Sequence, residues 1–210
     1  MRTLTGWLDQ RLGGWEFYRK HLAYPLPADI SFWHLFGGLT IGIILVQVVT
    51  GIYMLFFFDT DPVEAHQSIR DMCNNTALGA LFRNIHRWSA TMGISFLLIH
   101  MLHVMARKAY KPPRAFNWWT GLLLGFLYIL LLITGIIMPW DWRSYWELVI
   151  WADWAHTIPL AGDMIKGLML GTYSHGGNYW MHILILPLLT AVLIGIHIVL
   201  FRKHGPTPRV

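Results

Sequence analysis

Residues 86–100 read HRWSATMGISFLLIH and residues 182–197 read HILILPLLTAVLIGIH, two apolar runs each closed at both ends by histidine. They belong to a chain with 55% hydrophobic and 13% charged residues, too little polar surface to cover a soluble globule of 210 residues. Uncharged stretches run from Ile30 to Phe58, Trp88 to Ala106, Ala115 to Trp140 and Gly167 to Phe201. Each holds the roughly 20 residues a spanning helix requires, so four spans are predicted, with helices over about 32–57, 84–106, 116–138 and 179–201. The expected fold is an all-α membrane protein, a four-transmembrane-helix bundle over 31–205. An amphipathic surface helix precedes it in the N-terminal segment 1–30, where Leu4, Trp7, Leu8, Leu12, Trp15 and Phe17 mix with charges, and 206–210 form a tail.

Orientation follows from the basic residues. Arg2, Arg11, Arg19 and Lys20 precede the first span; Arg107, Lys108, Lys111 and Arg114 follow the second; Arg202, Lys203 and Arg209 follow the fourth. The other side carries Asp59, Asp61, Glu64, Asp71, Asp141, Glu147, Asp153 and Asp163. By the positive-inside rule both termini are expected on the cytoplasmic or equivalent side. The net charge of +5 is then a matter of topology and lipid contact, and no nucleic-acid motif accompanies it. No early apolar core of the signal-peptide kind is present, so insertion is expected through the spans themselves. The 139–178 segment, with Trp142, Tyr145, Trp146, Trp151 and Trp154, suits short helices across the bundle mouth, since an indole buries its ring and still bonds water.

A histidine in a membrane span is costly, and two on each of two helices call for a function. His86 and His100 are fourteen residues apart and His182 and His197 fifteen, so at about 100° per residue each pair returns to within about 60° of one face. At about 1.5 Å per residue the two members of a pair stand some 21 Å apart, one near each membrane surface. The second and fourth spans run in the same direction, so His86 is expected to meet His182 near the outer face and His100 to meet His197 near the inner face. Cys73 is the only cysteine, so no multi-thiolate zinc or iron–sulfur site can be built. Two lone axial imidazoles per level suit a porphyrin that already supplies four nitrogens, whereas zinc wants four clustered ligands. Gly37 and Gly51 in the first span, and Gly121 and Gly135 in the third, repeat the fourteen-residue interval and leave room for a flat ring at each level. His21, His34, His66, His103, His156, His175 and His204 are read as loop, end or interface residues.

Certain motifs then carry a resemblance: Arg83-Asn-Ile-His86-Arg87-Trp88-Ser89-Ala90, His100, Lys111-Pro-Pro-Arg114 leading to Trp118 and Thr120-Gly121, Thr134-Gly135 through Met138-Pro139-Trp140-Asp141, and Leu186-Pro187-Leu188-Leu189-Thr190-Ala191. Over residues 30–205 the chain resembles the N-terminal, four-helix, di-haem half of cytochrome b from quinol-oxidising complexes. It is most similar to the short, split form of chloroplasts and cyanobacteria.

The resemblance implies a subunit of a quinol:cytochrome c (or similar acceptor) oxidoreductase, not a complete enzyme alone. Two haem b groups would carry electrons from an outer quinol site to an inner quinone site, coupled to proton translocation. It implies Arg83 as a partner of an outer-haem propionate, Ile137, Met138, Pro139 and Tyr145 at the outer quinol pocket, and Arg202 with His204 at the inner quinone. Implied partners are a separate C-terminal-like cytochrome b subunit carrying the Pro-Glu-Trp-Tyr loop absent here, a Rieske iron–sulfur protein, a c-type cytochrome or similar acceptor, and membrane lipid, in a homodimeric complex. The membrane would be a bacterial inner membrane or a photosynthetic one.

The chain departs from that pattern at four places. Gly177 stands where an arginine is usual, the 171–182 stretch is shorter, His103 replaces an arginine with Arg107 one turn on, and Leu35 stands where the split form has a cysteine. A thioether-tethered third haem is therefore not expected. Two other readings stay open at this point: a haem-bearing membrane anchor of a Rieske-independent quinone-linked dehydrogenase or reductase, and a histidine-lined metal transporter. The transporter would need mid-membrane acids or broken helices that the spans lack.

Overall fold

The computed structural model describes residues 32–171 and 175–205; the expected surface helix of segment 1–30 and the tail 206–210 lie outside the described residues. Every element among the described residues is helical. A 3₁₀ turn at Phe32–His34 opens α1 (Leu35–Leu55), followed by α2 (Ala65–Asn75), α3 (Gly79–Ala106), α4 (Ala115–Ile137), α5 (Trp142–His156), α6 (Gly162–Gly171), α7 (His175–Trp180), a π turn at Met181–Ile185, and α8 (Leu186–His204). Four helices are long and apolar enough to cross a membrane: Phe32–Leu55, Gly79–Ala106, Ala115–Ile137 and the continuous run His175–His204. In hydrocarbon every backbone N–H and C=O must be satisfied within its own segment, so even the β-branched-rich α1 is helical.

The second span starts at Gly79 rather than 84 and the fourth at His175 rather than 179. Hydropathy marks where a helix enters lipid, whereas the backbone ladder continues through polar residues beyond it. The helices stop where the ladder cannot go on. α3 ends where Lys108 takes a φ of 57° and the Ala109 N–H turns back to the Val104 carbonyl, and α8 ends on Gly205, whose φ is 68°. Arg114 donates from Nη2 to the His204 carbonyl at 3.0 Å, satisfying one of the open carbonyls of the last turn. Arg202, Lys203 and His204 in that turn complement the negative end of the helix dipole.

The packing divides the bundle in two. α1 lies along α3 and α4 lies along α8, while α3 touches α4 only lightly and the two histidine-bearing helices, α3 and α8, are not packed on each other. The seam is bridged midway between the histidine levels, where Tyr128 of α4, 5% exposed, donates its hydroxyl to the Ala90 carbonyl of α3 at 3.0 Å. Gly93 admits that hydroxyl; a Cβ there would collide with it. The outward faces are apolar, with Leu45, Val49, Leu188 and Val199 exposed, as suits lipid.

The short helices expected between 139 and 178 are α5 and α6, packed on each other, with Trp142 and Trp154 exposed at the predicted interface. α2 is an addition. Its sequence is polar overall, but Ala65, Ile69 and Met72 recur at helical spacing and are buried as it packs on α3.

Asp141 begins α5, its carboxylate accepting from the Ser144 N–H and the Ser144 hydroxyl, both at 2.8 Å. Burial works to raise this carboxyl, but the two Ser144 hydrogen bonds, with His66 and Arg143 nearby, outweigh it and hold Asp141 below its ordinary value. A depressed carboxyl adds stability that is present above its unfolded-state value and lost as pH falls through the folded one. Asp141→Ala is therefore expected to cost about 1 kcal/mol, the usual worth of such a cap. Asp141→Asn should keep most of the cap and lose its acid sensitivity. Thermal unfolding in detergent between pH 3 and 7 measures both.

Candidate functional site

At the end of the bundle that carries α2, α5 and α6, the rings of His86 and His182 face each other across the seam with centroids 6.4 Å apart, inclined by 67°. Two metal–imidazole bonds of about 2 Å each, plus two ring radii, add to about 6 Å, the separation of axial ligands on one metal ion. At the other end His100 lies against Gly37 of α1 and His197 against Gly121 of α4. The structure thus brings His86 and His182 face to face, one from each half of the bundle.

The fifteen-residue interval in the fourth span has a local cause. Leu186 N–H bonds to the Met181 carbonyl, five residues back, within the π turn that contains His182. Pro187 has no N–H to offer the Ile183 carbonyl, and the helix passes this point by widening one turn. A π turn takes up one residue more than an α turn. It absorbs the surplus, so His182 and His197 stand in the angular relation that His86 and His100 reach with fourteen.

Each of the four glycines faces one of these rings. A Cβ on Gly37 would stand 2.9 Å from His100 Cε1, on Gly51 3.4 Å from His86 Cε1, on Gly121 3.3 Å from His197 Cε1, and on Gly135 2.8 Å from His182 Cε1. The glycines therefore also make room for the edge of an imidazole, which seats the histidine against the helix that carries no histidine ligand.

Beside three of these glycines stands a threonine that sequence reasoning did not assign. The Nδ1 of His86 lies 2.8 Å from Thr50 Oγ1, that of His197 2.8 Å from Thr120 Oγ1, and that of His182 2.9 Å from Thr134 Oγ1. Each hydroxyl sits within donating distance of a carbonyl of its own helix: Thr50 to Val46 at 2.7 Å, Thr120 to Asn117 at 2.8 Å, Thr134 to Leu130 at 2.8 Å. A hydroxyl has one proton, so with that proton so used its oxygen accepts from the imidazole Nδ1–H. This fixes the tautomer and leaves the Nε2 lone pair for a metal. The signal was legible: Thr-Gly recurs at 50–51, 120–121 and 134–135. The fourth seat reads Phe36-Gly37, and His100 Nδ1 is buried with no acceptor among the described residues.

Polar side chains brace two seats. Gln47 Nε2 donates to the His86 carbonyl and to Ser89 Oγ, both at 2.6 Å, and Asn178 Nδ2 donates to the Thr134 carbonyl at 3.0 Å. Arg83 lies half-buried one turn from His86. The ion pairs among the described residues are Arg143–Glu147, His156–Asp163 and Lys166–Asp153, so no described carboxylate claims it.

The remaining candidates are less gathered. Ile137 closes α4 and is 2% exposed, Met138 and Pro139 form the turn into α5, and Tyr145 is 49% exposed with its ring 5.6 Å from that of Trp146. Arg202 and His204 occupy the last turn of α8. His34 and His103 meet edge to face at the same end, centroids 4.7 Å apart. His175, expected at a chain end, is buried at the start of the fourth span, its ring 5.4 Å from that of Trp140.

Four antiparallel spans with a histidine pair at each end of a split seam define a class of membrane redox protein, and comparison with known proteins agrees. Residues 21–205 match the family described as Cytochrome b/b6/petB. The chain is 32% identical to cytochrome b6 of Euglena gracilis over 210 residues, 98% of each chain. It is also 32% identical to cytochrome b6 of Heliomicrobium gestii over 206 residues, 95% of this chain and 97% of that one. Among solved structures it superposes on a chain of a hyperthermophilic respiratory complex III with a TM-score of 0.86 and 26% identity. That match covers 96% of this chain and 55% of the other, so the chain spans about half of that neighbour.

The chain belongs to the cytochrome b/b6 family, as its four-span, b6-like N-terminal domain. The residues present fit the haem b that the family implies: two imidazoles facing each other 6.4 Å apart, three Nδ1 atoms within hydrogen-bond distance of a threonine, and two histidine-bearing helices not packed on each other.

Proposed function

We propose that this chain is the di-haem cytochrome b subunit of a quinol:cytochrome c, or similar acceptor, oxidoreductase. The observation that carries the proposal is the meeting of His86 and His182 across the seam, one imidazole from each half of the bundle. His86 and His182 would hold one haem and His100 and His197 the other. Bound haem supplies reversible one-electron chemistry at each level. The chain's own part is to present four neutral Nε2 donors, to keep water from the seam with apolar walls, and to offset propionate charge with Arg83.

The end bearing α2, α5 and α6 is read as the outer, quinol-oxidising side, and both termini as cytoplasmic or equivalent, because the bases collect at the opposite end. Ile137, Met138, Pro139 and Tyr145 are proposed for the quinol, and Arg202 with His204 for the quinone at the other face. Transfer of electrons between the two faces would couple to proton release and uptake. A C-terminal-like cytochrome b subunit, a Rieske protein and a c-type or similar acceptor would complete a homodimeric complex.

A reduced-minus-oxidised spectrum with haem quantification on the purified complex tests this. Two b haems per chain are expected, and none or one would overturn it. Gly177 and the short stretch before His182 favour one second reading, a haem-bearing anchor of a Rieske-independent quinone-linked enzyme. Co-purification of a Rieske subunit decides against that reading, and its absence from an active complex decides for it.

A further inference from the structure

The three threonines are not shared evenly between the two levels. At the acidic end both histidines are held, His86 by Thr50 and His182 by Thr134. At the basic end only His197 is held, by Thr120, while His100 Nδ1 is buried with no acceptor among the described residues and Phe36 fills the threonine's place. An imidazole whose Nδ1–H is given to an acceptor is a stronger base at Nε2, and a stronger base stabilises ferric over ferrous iron.

We infer that the Thr-Gly seats are positioning residues that set the order of electron affinity along the bundle, and that the missing fourth threonine makes the basic-end site the better electron acceptor. This rests on the di-haem reading above. With haem held at both levels, a single electron would pass from the acidic-end site to the basic-end site. Its direction is then written into hydrogen bonds of the protein, with no charged residue required in the seam.

The test is a redox titration of the whole complex, followed by optical absorbance and by the low-spin ferric signal in electron paramagnetic resonance. Thr50→Val and Thr134→Val should each raise the midpoint of the acidic-end haem by up to about 59 mV. That equals a tenfold change for a one-electron couple, the low end of what a ligand's hydrogen-bond partner contributes to a metal site. Thr50→Ser and Thr134→Ser should restore it. Phe36→Thr should lower the basic-end midpoint and narrow the gap between the two. Unchanged midpoints in Val variants that keep both haems would overturn the inference while leaving the di-haem reading intact. Loss of the gap by serine as much as by valine would also overturn it, since packing would then be the cause. A wild-type complex without two b haems refutes the underlying reading instead.

Discussion

On the di-haem reading, replacing His86 by alanine in the complex should remove one of two haems, and replacing His182 should remove the same one; His100→Ala and His197→Ala should each remove the other. The expectation follows from geometry. The His86 and His182 rings stand 6.4 Å apart across the seam, and the helices that carry them make no close packing that could hold a ring in place once one imidazole is gone. Each variant should therefore lose about half of the reduced-minus-oxidised b-haem absorbance, a two-to-one change in haem per chain. The surviving half should have one midpoint in the His86 and His182 variants and a different one in the other two. If His86→Ala and His197→Ala lost the same haem, the crossed pairing would sink the topology described above.

The second large effect concerns the glycine seats, which are not equally tight. A methyl group on Gly135 would stand 2.8 Å from the His182 ring and one on Gly37 2.9 Å from the His100 ring, both closer than real carbons approach. On Gly121 and Gly51 the distances are 3.3 and 3.4 Å, which a few tenths of an ångström of adjustment relieves. Overpacking of this kind costs typically about 1–3 kcal/mol. Because it falls on the ligand, it should appear as haem retention weakened by roughly ten- to a hundredfold, each 1.4 kcal/mol being tenfold. Gly135→Ala should deplete the acidic-end haem and Gly37→Ala the basic-end haem, while Gly51→Ala and Gly121→Ala keep near-native content. Haem content after purification, with the rate of transfer to apomyoglobin, ranks the four. Equal losses at all four positions would show that the glycines serve only ring clearance.

Much of this site could be read before any coordinates. Apolar length sets the number of spans, and a repeat near fourteen residues returns histidines to one face, because both depend only on helix geometry. The fifteen-residue interval left a rotation of about 60° unexplained, and its resolution lies in hydrogen bonding around Pro187 that no periodicity reports. α2 was hidden because three small or medium apolar residues are diluted by polar neighbours in any window average. What each glycine faces is a tertiary fact: the interval shows that Gly37 and Gly51 share a face, not that His100 and His86 lie against them. The part of Thr50 was not legible although its dipeptide with Gly51 is repeated twice more within the spans. Threonine in a membrane helix ordinarily bonds its own backbone, and only the fold reveals the second partner. The quinone residues rest on resemblance alone, since Tyr145, Arg202 and His204 sit where interface aromatics and helix-end cations occur without any ligand.

The seam has a consequence for biogenesis. α1 with α3, and α4 with α8, are two helical hairpins in chain order, each able to insert as synthesis proceeds. Neither hairpin alone owns both ligands of any haem. On the di-haem reading, cofactor capture would await the second hairpin, and the iron–imidazole bonds would then act as latches between halves that otherwise meet at a few side chains, Tyr128 on Ala90, Met101 against Gly125 and Phe58 stacked on Tyr179. A cell short of haem would hold this chain inserted but open along its middle, offering quality-control proteases a target that closes only when both cofactors arrive.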